Sequence, residues 1–205
     1  MNRRSGLLIL VLLLSAGAFS LLFAGKADHS RFPELNRAFS KPEELTAACI
    51  RCHNTTASDM MKTNHWLWTR KTDRLPGKEG QQVDVGKKNI INNFCIAVVS
   101  NEPRCTSCHA GYGWKDGKFD FTDGKKVDCI VCHDTTGTYE KFPTGAGYPV
   151  EKDTVFPENK KLFKKPDYRL IAQNVGRPGR RNCGACHFYG GGGDDIIYGD
   201  KGNDT

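Results

Sequence analysis

The apolar residues of this chain are concentrated in one run near its beginning. Residues 6–24 contain no charged side chain and follow Arg3 and Arg4. A run of this length is about sufficient to cross a bilayer as one helix, whereas the small residues at 16–18 are typical of a signal-peptidase site. Residues 1–25 are therefore predicted to be a signal peptide or an uncleaved membrane anchor. Both predictions place the rest of the chain outside the cytoplasmic membrane.

Beyond this run the pattern predicts short helices separated by loops. Residues 40–53 begin with a serine followed three residues later by a glutamate, the capping-box pattern of a helix start. A helix is also predicted over 58–68, where large side chains recur at spacings of four and three, and another over 167–174. Residues 114–119 carry Asp-Gly between aromatic residues and predict a hairpin. Residues 70–88 are rich in charge and glycine and predict a loop.

Four times, two cysteines separated by two residues are followed at once by a histidine. The motifs are Cys49, Cys52 and His53; Cys105, Cys108 and His109; Cys129, Cys132 and His133; and Cys183, Cys186 and His187. This spacing is the attachment signature of c-type haem. The two thiols form thioethers to the porphyrin, and the histidine is the proximal iron ligand. Zinc knuckles and redox-active dithiols need no histidine at that place, so the chain is predicted to carry four covalent haems.

Four porphyrins change what the composition implies. Only 38% of residues are hydrophobic and the mean hydropathy is −0.53, values close to those of disordered chains. Four large apolar plates would supply the missing core. The predicted fold is therefore a multihaem cytochrome c in residues 26–193, with short α-helices and long loops packed around four covalent haems and little β-structure.

The positive net charge of the chain can be explained by the haems themselves. The formal net charge is +7, and each haem brings about two propionate carboxylates that pair with arginine. We therefore expect no nucleic-acid partner. Covalent haem attachment takes place outside the bacterial cytoplasm, so the protein is expected to be periplasmic, or anchored to the cytoplasmic membrane and facing the periplasm.

The histidines are too few to give every iron two imidazoles. Beyond the four motif histidines the sequence contains only His29 and His65, which are candidates for distal iron ligands. Each is also compatible with an ordinary surface or packing role. The remaining irons would be bound by Met60, Met61, a lysine, a histidine from elsewhere, or would keep an open position where a substrate binds.

Several long runs resemble the amino-terminal half of the octahaem tetrathionate reductase family of multihaem cytochromes. The matching runs are 27–30, 61–66, 86–89, 92–95, 101–105, 111–115 and 183–193. The resemblance implies a periplasmic protein that reduces sulfur oxyanions such as tetrathionate, or nitrite and hydroxylamine. It would receive its electrons from a membrane quinol-linked or cytochrome donor.

The resemblance also implies catalytic residues. In that family an asparagine and a cysteine three residues apart lie near the catalytic iron, and Asn92 and Cys95 match this spacing. The second haem would then be catalytic, and the alternative for Cys95 is an inert buried thiol. The family's Asp-x-x-Lys pair is matched by Asp167, but Leu170 occupies the lysine position. A nearby lysine at 164 or 165 is the alternative ligand.

The last residues differ from the rest in composition. Residues 194–205 are rich in glycine and aspartate and resemble the nonapeptide of calcium-binding β-rolls. About one and a half repeats are too few to form a core, so no calcium site is predicted and the tail is interpreted as non-native or truncated. The chain is interpreted as a fragment of an oxyanion reductase, with a non-catalytic tetrahaem electron carrier as the alternative.

Overall fold

Short helices and two small hairpins make up the secondary structure of the computed structural model, which describes residues 27–86, 88 and 98–188. The helices are α1 (Pro42–Cys52), α2 (Thr56–Met60), α3 (Asn64–Leu67), α4 (Val98–Cys105), α5 (Cys129–His133), α6 (Tyr168–Gln173) and α7 (Arg180–His187). The strands are β1 (Arg70–Thr72), β2 (Val83–Val85), β3 (Thr154–Val155) and β4 (Leu162–Phe163). Three 3-10 turns cover His29–Arg31, Pro33–Leu35 and Gly124–Lys126. The prediction of short helices, long loops and little strand is confirmed.

Some predicted features lie outside the described residues. They are the export segment at 1–25, the pair Asn92 and Cys95, and the tail at 194–205. In the described part of the chain, no helix is both long and apolar enough to cross a membrane.

Helix α1 begins close to the predicted position and ends in the first cysteine motif. Its N-cap is Lys41 rather than the predicted Ser40, and Glu44, not Glu43, reaches back to accept a hydrogen bond from the Ser40 amide at 3.0 Å. The side chain of Leu45 in this helix is buried. The predicted helix is therefore correct, with its capping pattern displaced by one residue.

The single helix predicted over 58–68 is wrong. The Thr63 hydroxyl donates to the carbonyl of Met60 at 2.7 Å, and such a local side-chain bond competes with helix propagation. Helix α2 ends at Met60 and α3 starts after the break. Trp68 then takes a left-handed conformation with φ of 52°, which ends the helical segment.

The hairpin predicted over 114–119 is not observed, and the structure has hairpins at other places. Trp114 and Phe119 do not pair as strands, because their rings stack 5.7 Å apart inside an aromatic cluster. The segment 70–88, predicted as loop, instead contains the antiparallel pair β1 and β2. The second hairpin pairs β3 with β4 in the same antiparallel sense.

The hydrophobic core is divided into three small clusters. One lies between α1, α6 and the turn at Pro33–Leu35, and another is the aromatic cluster around Trp66 and Trp114. The third surrounds the hairpin of β3 and β4 with Phe156 and Phe163. No single large core joins these clusters in the described residues. The first and third motifs contribute Cys49 and Ile130 to the first cluster and Ile50 and Cys129 to the second.

A buried hydroxyl fastens α1 to the segment that precedes α5. Thr46 is 1% exposed, and its Oγ1 donates to the carbonyl oxygen of Val127 at 2.8 Å. Residue 127 lies two positions before the third motif. This bond therefore connects the helix of the first motif with the entry to the third.

Substitution Thr46→Val should destabilise the haem-loaded protein by about 1–3 kcal/mol, because it keeps the shape but leaves the buried Val127 carbonyl without its donor. Urea denaturation followed by circular dichroism measures the difference. Thr46→Ser keeps the hydroxyl and is the matched control. Equal stability of Thr46→Val and wild type would show that the bond contributes nothing.

Candidate haem-binding site

The four motifs contact one another through their cysteines. Cys49 of the first motif is hydrogen bonded to Cys129 of the third, and Cys108 of the second to Cys186 of the fourth. The pKa of Cys129 lies well above its usual range because its thiol bonds to Cys49 and is buried. The pKa of Cys186 is raised in the same way by its bond to Cys108 and its burial.

Main-chain contacts complete the association of the motifs. The amide of Asp128 donates to the carbonyl of Ala110 at 2.9 Å, which joins the entry to the third motif to the residue after the second. Helix α7 packs on α5, and Asn182 Nδ2 donates to the carbonyls of Val131 and Asp134 at 3.2 and 3.0 Å. Segments far apart in sequence therefore hold four attachment motifs in one region.

His29 and His53 face each other at a distance that suits a shared iron. Their ring centres are 6.2 Å apart and their planes are inclined by 20°. A metal–imidazole bond is about 2.0 Å long and a ring nitrogen lies about 1.1 Å from its ring centre, so imidazoles on opposite sides of one metal have centres about 6 Å apart. His29 Nδ1 donates to the carbonyl of Ala27 at 3.1 Å, which leaves Nε2 for a metal.

His65 and His187 form a second pair of the same kind. Their ring centres are 6.3 Å apart, with planes inclined by 89°. The two candidate distal histidines therefore each approach a different motif histidine, His29 that of the first motif and His65 that of the fourth. The ring-centre distances of both pairs would allow two imidazoles to hold one iron.

His133 of the third motif is also prepared as a ligand. The side chain is exposed, and its Nδ1 donates to the carbonyl of Gly176 at 2.8 Å. A carbonyl partner on one ring nitrogen orients the imidazole and leaves the other nitrogen as the metal ligand. The third motif therefore fits a haem.

His109 of the second motif does not present Nε2 to a ligand. This nitrogen donates to the carbonyl of Trp66 at 2.7 Å, and the ring is 0% exposed. Five aromatic rings lie around it, with centres between 4.9 and 6.0 Å away: Trp66, Trp68, Trp114, Phe119 and Phe121. Nδ1 is buried without a partner among the described residues, and burial lowers the pKa of His109 to about 3. The neutral ring therefore has its unshared electron pair on Nδ1, and iron ligation through Nε2 does not fit this arrangement.

A cavity of about 980 Å³ has Cys108 and Cys186 in its wall. Its aromatic lining includes Phe156, Phe163 and Phe188. The cationic residues that line it are Arg104, Lys141, Lys161, Arg180 and Arg181. Ligand sites commonly have volumes of about 300–1,000 Å³, so this cavity has room for a large planar group, with cations available for carboxylates.

Of the predicted catalytic residues, only Asp167 lies in the described part of the chain. Asp167 is the N-cap of α6, and its Oδ1 accepts a hydrogen bond from the Leu170 amide at 3.0 Å. Leu170 itself is 44% exposed. Helix α6 packs against α1 and the turns at His29–Arg31 and Pro33–Leu35. The structure therefore gives Asp167 a capping role beside the first motif.

Sequence reasoning missed the buried polar residues between the motifs. Asp128 caps α5 through a 3.0 Å bond from the Val131 amide, and it forms an ion pair with Lys141. An aspartate directly before Cys129 is a recognisable N-cap signal. No local pattern indicated that Lys141 would be its partner.

Comparisons with known proteins indicate the class of protein to which the chain is similar. Residues 48–134 match the family model described as cytochrome c554 and c-prime. The chain is similar to a solved octahaem cytochrome c from Shewanella oneidensis, with 52% identity and a TM-score of 0.65 over 80% of this chain and 34% of the other. An uncharacterised protein of Archaeoglobus fulgidus is 22% identical over an alignment that covers 82% of this chain and 67% of that protein.

The chain spans about a third of the octahaem cytochrome that it matches. The matched family segment includes the first three motifs, and the fold shared with the octahaem protein consists of short helices and loops. Together with the imidazole pairs and the attachment cysteines, these similarities identify the chain as a multihaem c-type cytochrome.

Proposed function

We propose that the chain carries four covalent haems and transfers electrons between them outside the cytoplasmic membrane. At the second motif, haem binding requires the His109 ring to give up its Nε2 bond to the Trp66 carbonyl. The observation that carries this proposal is the contact between cysteines of different motifs, Cys49 with Cys129 and Cys108 with Cys186. Cofactors attached at these neighbouring cysteines would lie close to one another, as electron exchange requires. A haem iron supplies this chemistry by gaining and losing one electron at a time.

The side chains of the protein bind and orient the cofactors in this proposal. His29 and His53 would hold one iron, and His65 and His187 would hold another. An iron held by two imidazoles of the protein would be suited to electron transfer. Arg180 and Arg181 in the cavity wall would neutralise propionate charge.

The electron donor is proposed to be a quinol-linked or cytochrome partner at the membrane, and the location to be the periplasm. Attachment of c-type haem outside the cytoplasm supports that location, as does the apolar run at 6–24.

Substitution His29→Ala should convert about one haem in four from low spin to high spin in the oxidised protein, because the first iron loses its second imidazole. Electron paramagnetic resonance and optical spectra measure the change, and added imidazole should reverse it. Wild type should contain four covalent haems per chain by pyridine haemochrome assay.

Arg31→Ala is the matched control, since it lies on the same exposed turn and leaves the His29 ring in place. An unchanged spin state in His29→Ala would refute the assignment of His29 as an iron ligand.

Reduction of a small oxyanion at the second haem is the second candidate function. The two described imidazole pairs use both histidines that lie outside the motifs. No histidine of the given sequence therefore remains as a second ligand for the irons of the second and third motifs. The resemblance to the tetrathionate reductases favours the second haem, beside Asn92 and Cys95. Substrates of this class are tetrathionate, nitrite and hydroxylamine.

Substitution Cys95→Ala should reduce the rate of tetrathionate reduction by at least about tenfold with full haem content, because the thiol is proposed to act at the reacting centre. Steady-state assays with a reduced viologen donor, together with haem counts, check this prediction. A wild-type rate in Cys95→Ala would remove the thiol from the mechanism.

Asp167 requires a different pair of variants, because it caps α6. Asparagine also caps helices well, so Asp167→Asn removes the charge and keeps the cap, whereas Asp167→Ala removes both. A catalytic Asp167 predicts that both variants lose at least about tenfold in rate. Loss of stability by about 1 kcal/mol in Asp167→Ala alone, with full activity in Asp167→Asn, would limit the residue to capping.

A further inference from the structure

A buried ion pair lies between the second and third motifs. Lys141 Nζ is 3.0 Å from Asp128 Oδ2, and the two side chains are 8% and 0% exposed. Removing two charges from water is costly unless further hydrogen bonds satisfy them. The partners of each group therefore show what the pair does.

Every acceptor position of the carboxylate is used. Asp128 Oδ1 accepts from the Tyr112 hydroxyl at 2.7 Å and from the Val131 amide at 3.0 Å. Oδ2 accepts from the Tyr139 hydroxyl at 2.8 Å in addition to Lys141. Burial and the charge of Asp128 raise the pKa of both tyrosines well above their usual range, so both hydroxyls remain donors. The Val131 bond ties the carboxylate to the first turn of α5.

The ammonium group binds the main chain that follows the second motif. Lys141 Nζ donates to the carbonyl oxygen of His109 and, at 3.3 Å, to that of Gly111. Its three donors are thus directed at Asp128 and two carbonyls. One ion pair therefore fastens residues 109–111 to the start of α5.

The charges of the pair also reach the attachment cysteines. Asp128 directly precedes Cys129 and caps α5, the helix that contains the third motif. A haem attached at Cys129 and Cys132 would therefore lie within the field of the pair.

We propose that Lys141 is a positioning residue that fixes the second motif against the third and, by neutralising Asp128, holds up the reduction potential of the haem on the third motif. This inference rests on the proposed haem attachment at Cys129 and Cys132. It assigns Lys141 no contact with substrate. A buried carboxylate without its cation would stabilise oxidised iron and make the potential more negative.

The test uses the full haem-loaded protein and Lys141→Met. This variant should lower Tm by roughly 10 °C, because it leaves Asp128 buried without a cation. One of the haem potentials in a spectroelectrochemical titration should shift to a more negative value. Haem occupancy of the peptides carrying Cys105 and Cys129 is measured by mass spectrometry.

The double variant Asp128→Asn with Lys141→Met separates charge from folding. Asparagine retains the cap on α5, so most of the lost Tm should return, and the potential should move back towards wild type because no unpaired charge remains. Lys62→Met is the control: its ion pair with Asp59 has side chains 75% and 63% exposed. It should change Tm by no more than about 3 °C and leave every potential unchanged.

Two results would overturn the inference alone. One is a haem-loaded Lys141→Met protein with wild-type Tm and potentials. The other is a lowered Tm with all potentials unchanged in both the single and the double variant, which would make the pair a stabilising contact only. Absence of haem from the Cys129 peptide of the wild-type protein would instead refute the proposed function and, with it, this inference.

Discussion

The packing of the four cysteine motifs into one region is the constraint on which the rest of the structure depends. Cys49 meets Cys129 and Cys108 meets Cys186, so segments from both halves of the described chain converge on one region. The described helices are accordingly short, and α1, α4, α5 and α7 end in a motif. Three small apolar clusters surround this region instead of one large core, which is consistent with cofactors forming much of the interior.

The attachment motifs and the class of fold could be predicted from sequence because their chemistry is local. A cysteine pair followed by histidine has one dominant meaning, and Asp167 before α6 is a local cap signal. The prediction of one helix over 58–68 was wrong because the Thr63 hydroxyl donates a hydrogen bond to the Met60 carbonyl. The spacing of large side chains gives no sign of this bond. The hairpin predicted over 114–119 was also wrong. The rings of Trp114 and Phe119 pack against each other in the tertiary structure, and this packing outweighs the preference of Asp-Gly for a hairpin turn. Lys141 pairs with Asp128 only through the fold.

The second motif differs from the other three in its surroundings. Its histidine lies within five aromatic rings and donates Nε2 to the Trp66 carbonyl, whereas His53, His133 and His187 are exposed. The motif that the family resemblance marks as catalytic is thus the one whose imidazole is most confined. Confinement of this kind restricts how the ring moves when a ligand binds nearby.

The imidazole pairs also act on the unfolded chain. In the proposed assignment, one iron joins His29 to His53 across a short loop, and another joins His65 to His187 across most of the described chain. Each is then a reversible cross-link that removes conformational freedom from the unfolded state, more so for the longer loop. A chain with small apolar clusters would in this way gain stability from its metal atoms as a disulfide-rich domain does from its bridges.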